Sequence, residues 1–407
     1  MRPESSDKCD VRWAVRARVC TTHVGCGVKL NPMYSWKYID YLWESPQQKQ
    51  EAINSGNYKP GSALFEYVDE APDGRIFLTG DRRKEVPVSI ITVSNEKGEG
   101  GLLLRPYPDW SWHTNKKCEG ITGAYGIDIK CNHIFVMDSG YIEEEQVCPP
   151  QVLIFDLSTD QLVKRIIIPS NVAINRNGIN GTFTTIHAVA SHCNHIKDNA
   201  ILLIADGVEN GLVVYNPHIS KFCRIESEFM KPTNATFTIE NITFNFAEGI
   251  THLATTDKDL YYAAFSADKL YRIEISKLID CSLSDREASE ITQLVGTLSG
   301  QTGPIAFEEC AIIFSNQPAT SIMCADATKF IDFNNMEVVV QNPEELQCIA
   351  GTKIINKSHF KRMLILTTRC HRYMTTGYNL NETNHRIFSI NMTEIRKANK
   401  NCFASCN

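Results

Sequence analysis

No apolar run in the sequence approaches the eighteen or more residues that a membrane-spanning helix needs, which argues against a helical membrane protein. Basic residues are neither in excess nor clustered. With 41 Lys and Arg against 47 Asp and Glu, the net charge of −6 gives no footprint for DNA, RNA or an anionic membrane. There is no G-x-S-x-G elbow, H-E-x-x-H, phosphate loop or glycine-rich dinucleotide fingerprint, so no nucleophile, zinc-protease or nucleotide signature is present and no cofactor is implied. None of the 15 cysteines forms a C-x-x-C pair, which removes zinc ribbons and thioredoxin-type centres. Helical periodicity is almost missing too.

What remains is strand signal, and it repeats. From Cys118 to Pro169 the runs Ala124–Ile129, Ile134–Met137, Val152–Leu157 and Leu162–Ile168 are rich in β-branched and aromatic residues and are separated by turn chemistry. This reads as a four-stranded antiparallel unit. Its second run is apolar at every position, as expected of a strand covered on both faces. The same second-strand signal recurs at Ile76, Ile134, Ile201, Leu260, Ala311 and Met363, in steps of 58, 67, 59, 51 and 52 residues. Six four-stranded units predict an all-β, six-bladed β-propeller, whose radial stacking lets 407 residues remain one domain. The last repeat runs out of chain after Ile390. An N-terminal strand is therefore expected to close the ring, with Tyr38–Trp43 as the candidate, or else to cap one face.

Six N-x-S/T sequons, at Asn180, Asn234, Asn241, Asn356, Asn381 and Asn391, beside heavy cysteine usage, point to an oxidised, glycosylated, extracellular protein. The opening MRPESSDKCDVRWAVRARVC is polar and basic and lacks the apolar core of a signal peptide. Residues 1–35 therefore read as a poorly specified segment with an absent or misplaced start, carrying Cys9, Cys20 and Cys26 as possible staples. Residues 36–407 read as the propeller. Cys118 and Cys131 flank the inner strand of the second unit, and return of the preceding loop predicts a disulfide between them. Cys402 and Cys406 are expected to bond to the N-terminal cysteines or to Cys370.

Several stretches, taken together, carry a resemblance. WKYIDYLW at Trp36, GRIFLTG at Gly74, LRPYPDWSWH at Leu104, GIDIKCNHIFVMDSG at Gly126, CPPQVLIFDLSTDQLVKRIIIP at Cys148 and DLYYAAFSADKLYRI at Asp259 are similar to the insect Yellow and major royal jelly protein family. The likeness is dense from about residue 36 to 275. Departures occur at Gly80-Asp81-Arg82-Arg83, at Glu248-Gly249-Ile250 and at Met323-Cys324-Ala325. The resemblance implies a secreted propeller that binds small ligands such as biogenic amines or catecholamines, in secretions or in pigmentation and hardening of cuticle or eggshell, with association with extracellular matrix. It also leaves open a dopachrome-converting, tautomerase-like enzyme of melanin synthesis and a structural or nutritional secretory protein.

Second strands end in turns, which puts Asp138, Asp206, Asp268 and Asn316 near one rim of the channel. Such a ring is able to receive a small cation, with Phe265 or Tyr125 available for a cation–π contact. Asp, Asn and Ser are also what tight turns require. Glu248, Asp128 and Asn316 are conceivable oxygen ligands for a metal, although no spacing is diagnostic and no metal is assigned. His192-Cys193-Asn194-His195 reads as a surface segment whose cysteine is half of a disulfide. The aromatic run Tyr107–Trp112 reads as packing between blades rather than a sugar platform.

Overall fold

Strand alternation resolves into six four-stranded antiparallel blades, and the computed structural model describes residues 26–114, 118–357 and 360–406. Blade one comprises Phe65–Glu70, Ile76–Gly80, Ile90–Lys97 and Leu102–Pro106. Blades two to five begin with Ala124–Lys130, Phe183–Val189, Ile250–Thr255 and Ile305–Glu308, and three further strands follow outward in each, with the short strand Cys26–Gly27 added to the outer edge of blade five against Met336–Gln341. Blade six begins with Ile349–Lys357. Each inner strand contacts the inner strand of the next blade, and blade six contacts blade one, so the ring closes round a central channel.

The second strand of blade two explains why it is apolar throughout. Ile134, Phe135, Val136 and Met137 are all fully buried. Ile134 and Val136 pack with Phe77 and Ile90 of blade one, whereas Phe135 and Met137 pack with Leu202 and Ile204 of blade three. A period of two delivers alternate side chains to opposite neighbours. Each such burial stabilises the ring by about 1.5–3 kcal/mol.

Closure comes from Asn31–Trp36, which pairs antiparallel with His385–Asn391 of blade six. This corrects the expected strand at Tyr38–Trp43. That segment lies instead beside the outer strand of blade one, where the Leu42 amide donates to the Leu104 carbonyl at 2.8 Å and the Leu104 amide donates to Asp40 at 3.0 Å. Ile39 and Tyr41 are buried there. Both stretches are short and aromatic, and Pro32 makes the true closing strand look the poorer of the two. Trp36 locks the end of it, with its indole donating to the Leu102 carbonyl at 2.8 Å and its ring set edge-on to Phe65.

Among the described residues six disulfides tie the loops, and the expected Cys118–Cys131 pair is not among them. Cys118 bonds to Cys148, and Cys131 bonds to Cys193, with Cα separations of 5.6 and 5.3 Å. The reason is geometric. Cys118 and Cys131 lie beyond opposite ends of the seven-residue strand Ala124–Lys130, which spans roughly 20 Å, far more than a disulfide bridges. Cys193 is bridged as expected. Cys402 and Cys406 bond to Cys324 and Cys310, while Cys370 closes onto Cys348; Cys9 and Cys20 lie outside the described residues. The other bridge joins Cys223 to Cys281.

Candidate functional site

The inner strands carry charges where a buried strand would ordinarily carry none, and these charges fall into two layers. At the lower end of the channel, Lys353 of blade six reaches Asp69 of blade one at 2.8 Å and also pairs with Asp128 of blade two. Asp69 accepts the Ile129 amide at 2.9 Å and Asp128 the Ala188 amide at 2.8 Å. His187 of blade three approaches Asp128 at 4.0 Å and bonds to Thr255 of blade four. Burial opposes the charge on Lys353, but the two aspartates outweigh it and raise its pKa. Burial likewise works against Asp128, yet Lys353 and His187 hold it down at about 2. Glu70, beside them, takes Lys357 and Arg362. Every acid of this layer has a cation.

Above this plug of ion pairs across the channel, the Tyr67 hydroxyl meets Thr185 and the Thr251 carbonyl, and its ring stacks on His252 with centroids 4.9 Å apart. His252 bonds to the Ala350 carbonyl at 3.0 Å, and burial lowers its pKa to about 4, so the ring is neutral. This narrow layer is the floor of a cavity of about 1460 Å³ at the upper end of the channel. Tyr67, Tyr125, Phe244, Phe246, Phe265 and Tyr373 supply aromatic wall. Phe244 comes from a hairpin, Thr236–Ile239 and Ile242–Asn245, that roofs one side. Its Phe237 and Ile239 are buried beside Cys348 and Cys370.

Seven acids line this cavity, and three of them, from two blades, bear on its chemistry. Asp81 accepts from the Tyr125 hydroxyl at 3.0 Å and pairs with Arg83 at 2.6 Å, and Arg83 also lies over the Tyr373 ring. Glu66 and Glu248 differ from it. Among the described residues neither carboxyl has a hydrogen-bond or ion-pair partner. Burial, reinforced by Asp81 and Glu248, pushes Glu66 well above the ordinary carboxyl range, with Arg83 only partly opposing. Burial and then Asp81 raise Glu248 to about 7. A cavity with unpaired carboxyls, aromatic walls and a neutral floor suits a small organic cation better than an anion.

The residues expected at the rim divide. Tyr125 and Phe265 line the cavity. Asp138 is fully buried and accepts from the amides of Thr122, Gly123 and Gly140 and from Gln151. Asp206 is buried against Arg224 at 2.8 Å and accepts the amides of Thr182 and Glu209. Asn316 bonds to Ser299 and the Ala319 amide, and Asp268 holds the Leu298 amide through its own carbonyl. These four serve their turns and lie outside the cavity lining. Asp81 occupies the corresponding turn of blade one and is the member of the set that faces the channel. Glu248, Asp128 and Asn316 are spread over the cavity, the plug and blade five, so they do not converge as metal ligands. Among the described residues, Cys324, Glu337 and Cys402 do converge, but the two cysteines are bonded to each other. All six sequon asparagines are exposed.

Sequence reasoning passed over Glu66, Asp81, Tyr67, His252 and Lys353. For Glu66 and Lys353 the usable signal was charge inside a first strand, because first strands line the channel. Residues 122–402 match the family described as Major royal jelly protein. Major royal jelly protein 8 of Apis mellifera is 31% identical over 396 residues, covering 92% of this chain and 93% of its own, and major royal jelly protein 7 is 31% identical over 379 residues, covering 88% and 84%. Among solved structures, a streptogramin B lyase aligns with 11% identity over 79% of this chain and 77% of that one, with a TM-score of 0.41.

Proposed function

Because the chain belongs to the major royal jelly protein family, we propose that it is an extracellular carrier of small aromatic amines, biogenic amines and catecholamines, that acts without catalysing their conversion. The observation that carries this reading is the meeting of Glu66 and Glu248, both unpaired, with the rings of Tyr125 and Phe265 in one cavity. An ammonium group satisfies a carboxylate, and an aromatic body packs on the rings. Six disulfides and relatives named for royal jelly support the extracellular setting. In that setting the carrier serves secretions, or pigmentation and hardening of cuticle or eggshell.

One observation favours a second reading. Glu248, at about 7, is tuned for proton transfer near neutrality, as conversion of dopachrome by tautomerisation requires. Titration calorimetry with dopamine, serotonin and octopamine, with dopachrome absorbance followed on the same sample, separates the two. Saturable heat with unchanged decay is the expected result. Decay accelerated by the wild type and lost in Glu248→Gln would make the protein an enzyme, and no heat with any amine would leave the structural or nutritional role.

A further inference from the structure

Glu66 and Glu248 differ from Asp81 and from the acids of the lower layer, because among the described residues no cation pairs with either of them. Arg83, which lines the same cavity, is committed to Asp81 at 2.6 Å and to the Tyr373 ring at 5.3 Å and only partly offsets the rise of Glu66. Lys353, which neutralises Asp69 and Asp128, lies in the plug beyond the Tyr67–His252 layer. Lys84 stands at the cavity mouth, exposed to solvent. Two carboxyls without a counter-ion in a confined space leave one way to avoid carrying two negative charges, which is to hold a proton.

We propose that Glu66 and Glu248 form an exchange site that releases a proton to solvent for each ammonium ion it takes up, so that neutral pH loads the cavity and acidification empties it. This rests on the amine-carrier reading above. In the empty cavity a carboxyl O–H is intact. When the ammonium enters, that O–H bond breaks, the proton leaves to water, and the carboxylate left behind accepts the N–H donors. Charge in the cavity is the same before and after. Nothing is oxidised, and no bond of the ligand is made or broken.

The surroundings are consistent with this stoichiometry. From blade one, Asp81 lines the same cavity and is already held by Arg83 and the Tyr125 hydroxyl of blade two. From blade four, His252 is neutral and bonded to a carbonyl. From blade six, Tyr373 and Tyr378 stay protonated because burial raises both, and the same holds for Tyr67 and Tyr125. At the mouth, Glu85 and the run Glu143 to Glu145 add negative potential without entering the pair. Among the acids lining the cavity, Glu66 and Glu248 are the two that burial pushes upward and that no cation pairs with among the described residues. An alkylammonium keeps its own charge throughout the range concerned, as a lysine side chain does.

The test uses the intact protein and dopamine. Calorimetric titrations at pH 7 are run in phosphate and in Tris, two buffers with very different ionisation enthalpies. The expected result is an apparent binding enthalpy that shifts between the buffers by an amount equivalent to release of about one proton per dopamine, with affinity falling by up to about tenfold per unit as the pH is lowered from 7 to 5. Glu66→Gln with Glu248→Gln should abolish the buffer dependence. Because the wild-type comparison needs no variant, a folding failure in the mutant does not rescue the proposal. Saturable heat with the same enthalpy in both buffers overturns the exchange and leaves the amine carrier standing, whereas no saturable heat in either buffer overturns both.

Discussion

The two layers of acids in the channel use one residue chemistry for opposite ends. In the lower layer, Asp69, Asp128 and Glu70 are each met by Lys353, Lys357 or Arg362, and the result is a plug that joins blades one, two and six. In the upper layer, Glu66 and Glu248 line one cavity with aromatic rings, and Glu248 adds to the rise of Glu66. Strand Phe65–Glu70 contributes to both. Pairing within the chain turns a carboxylate into a structural part, and withholding the partner keeps it for a ligand. The cost of the second choice falls on the empty protein, which is the usual price of a binding site set against stability.

The comparison is broken most severely at the plug. Lys353→Met leaves Asp69 and Asp128 buried without their shared cation, and the loss should be about 3–5 kcal/mol, read as a lower urea midpoint. The upper layer should respond with the opposite sign. Glu248→Gln removes an unpaired carboxyl and should stabilise the empty protein by on the order of 1–2 kcal/mol at pH 8, once screening by cavity water is allowed for, while weakening dopamine binding. Thermal melts of the wild type and the variant, with and without dopamine, check both effects.

The pH dependence sharpens the same contrast. Asp128 is depressed in the folded state, so its contribution is complete above the unfolded aspartate value and is lost as the pH falls towards about 2. Glu248 is raised, so the folded protein binds its proton more tightly than the unfolded chain does. Its effect is therefore a loss of stability as the pH rises from the ordinary glutamate range through about 7. Melting temperature against pH should show a rise out of strong acid followed by a shallow decline towards neutrality, and Glu248→Gln should flatten only the decline. The smallest effect belongs to the rings. Phe265→Ala should weaken dopamine by about 1 kcal/mol, roughly fivefold in affinity by titration, and leave the plug-dependent urea midpoint nearly unchanged.

The blades were legible because period-two alternation and an all-apolar second strand are local signals, repeated six times. The closing strand was not, since Asn31–Trp36 and Tyr38–Trp43 carry similar β-forming residues and only the register against His385–Asn391 distinguishes them. The bridges of Cys118 and Cys131 depended on which ends of a strand meet a neighbouring loop, which spacing alone leaves open. Tyr125 and Phe265 were found at the cavity by their place beside the strand ends. Asp138 and Asp206 occupy similar turns but point into backbone amides, a difference that depends on the loop entering each blade. Glu66 and Lys353 were visible as charges in inner strands, but who pairs with whom is decided only when blade six closes against blade one.

The most direct test of the account is a calorimetric titration of the folded wild-type protein with dopamine at pH 7.5. The account predicts saturable binding of one amine per chain, weakened by loss of Glu66 and Glu248 together. Heat indistinguishable from dilution, in a sample whose cooperative melt shows it to be folded, would contradict it.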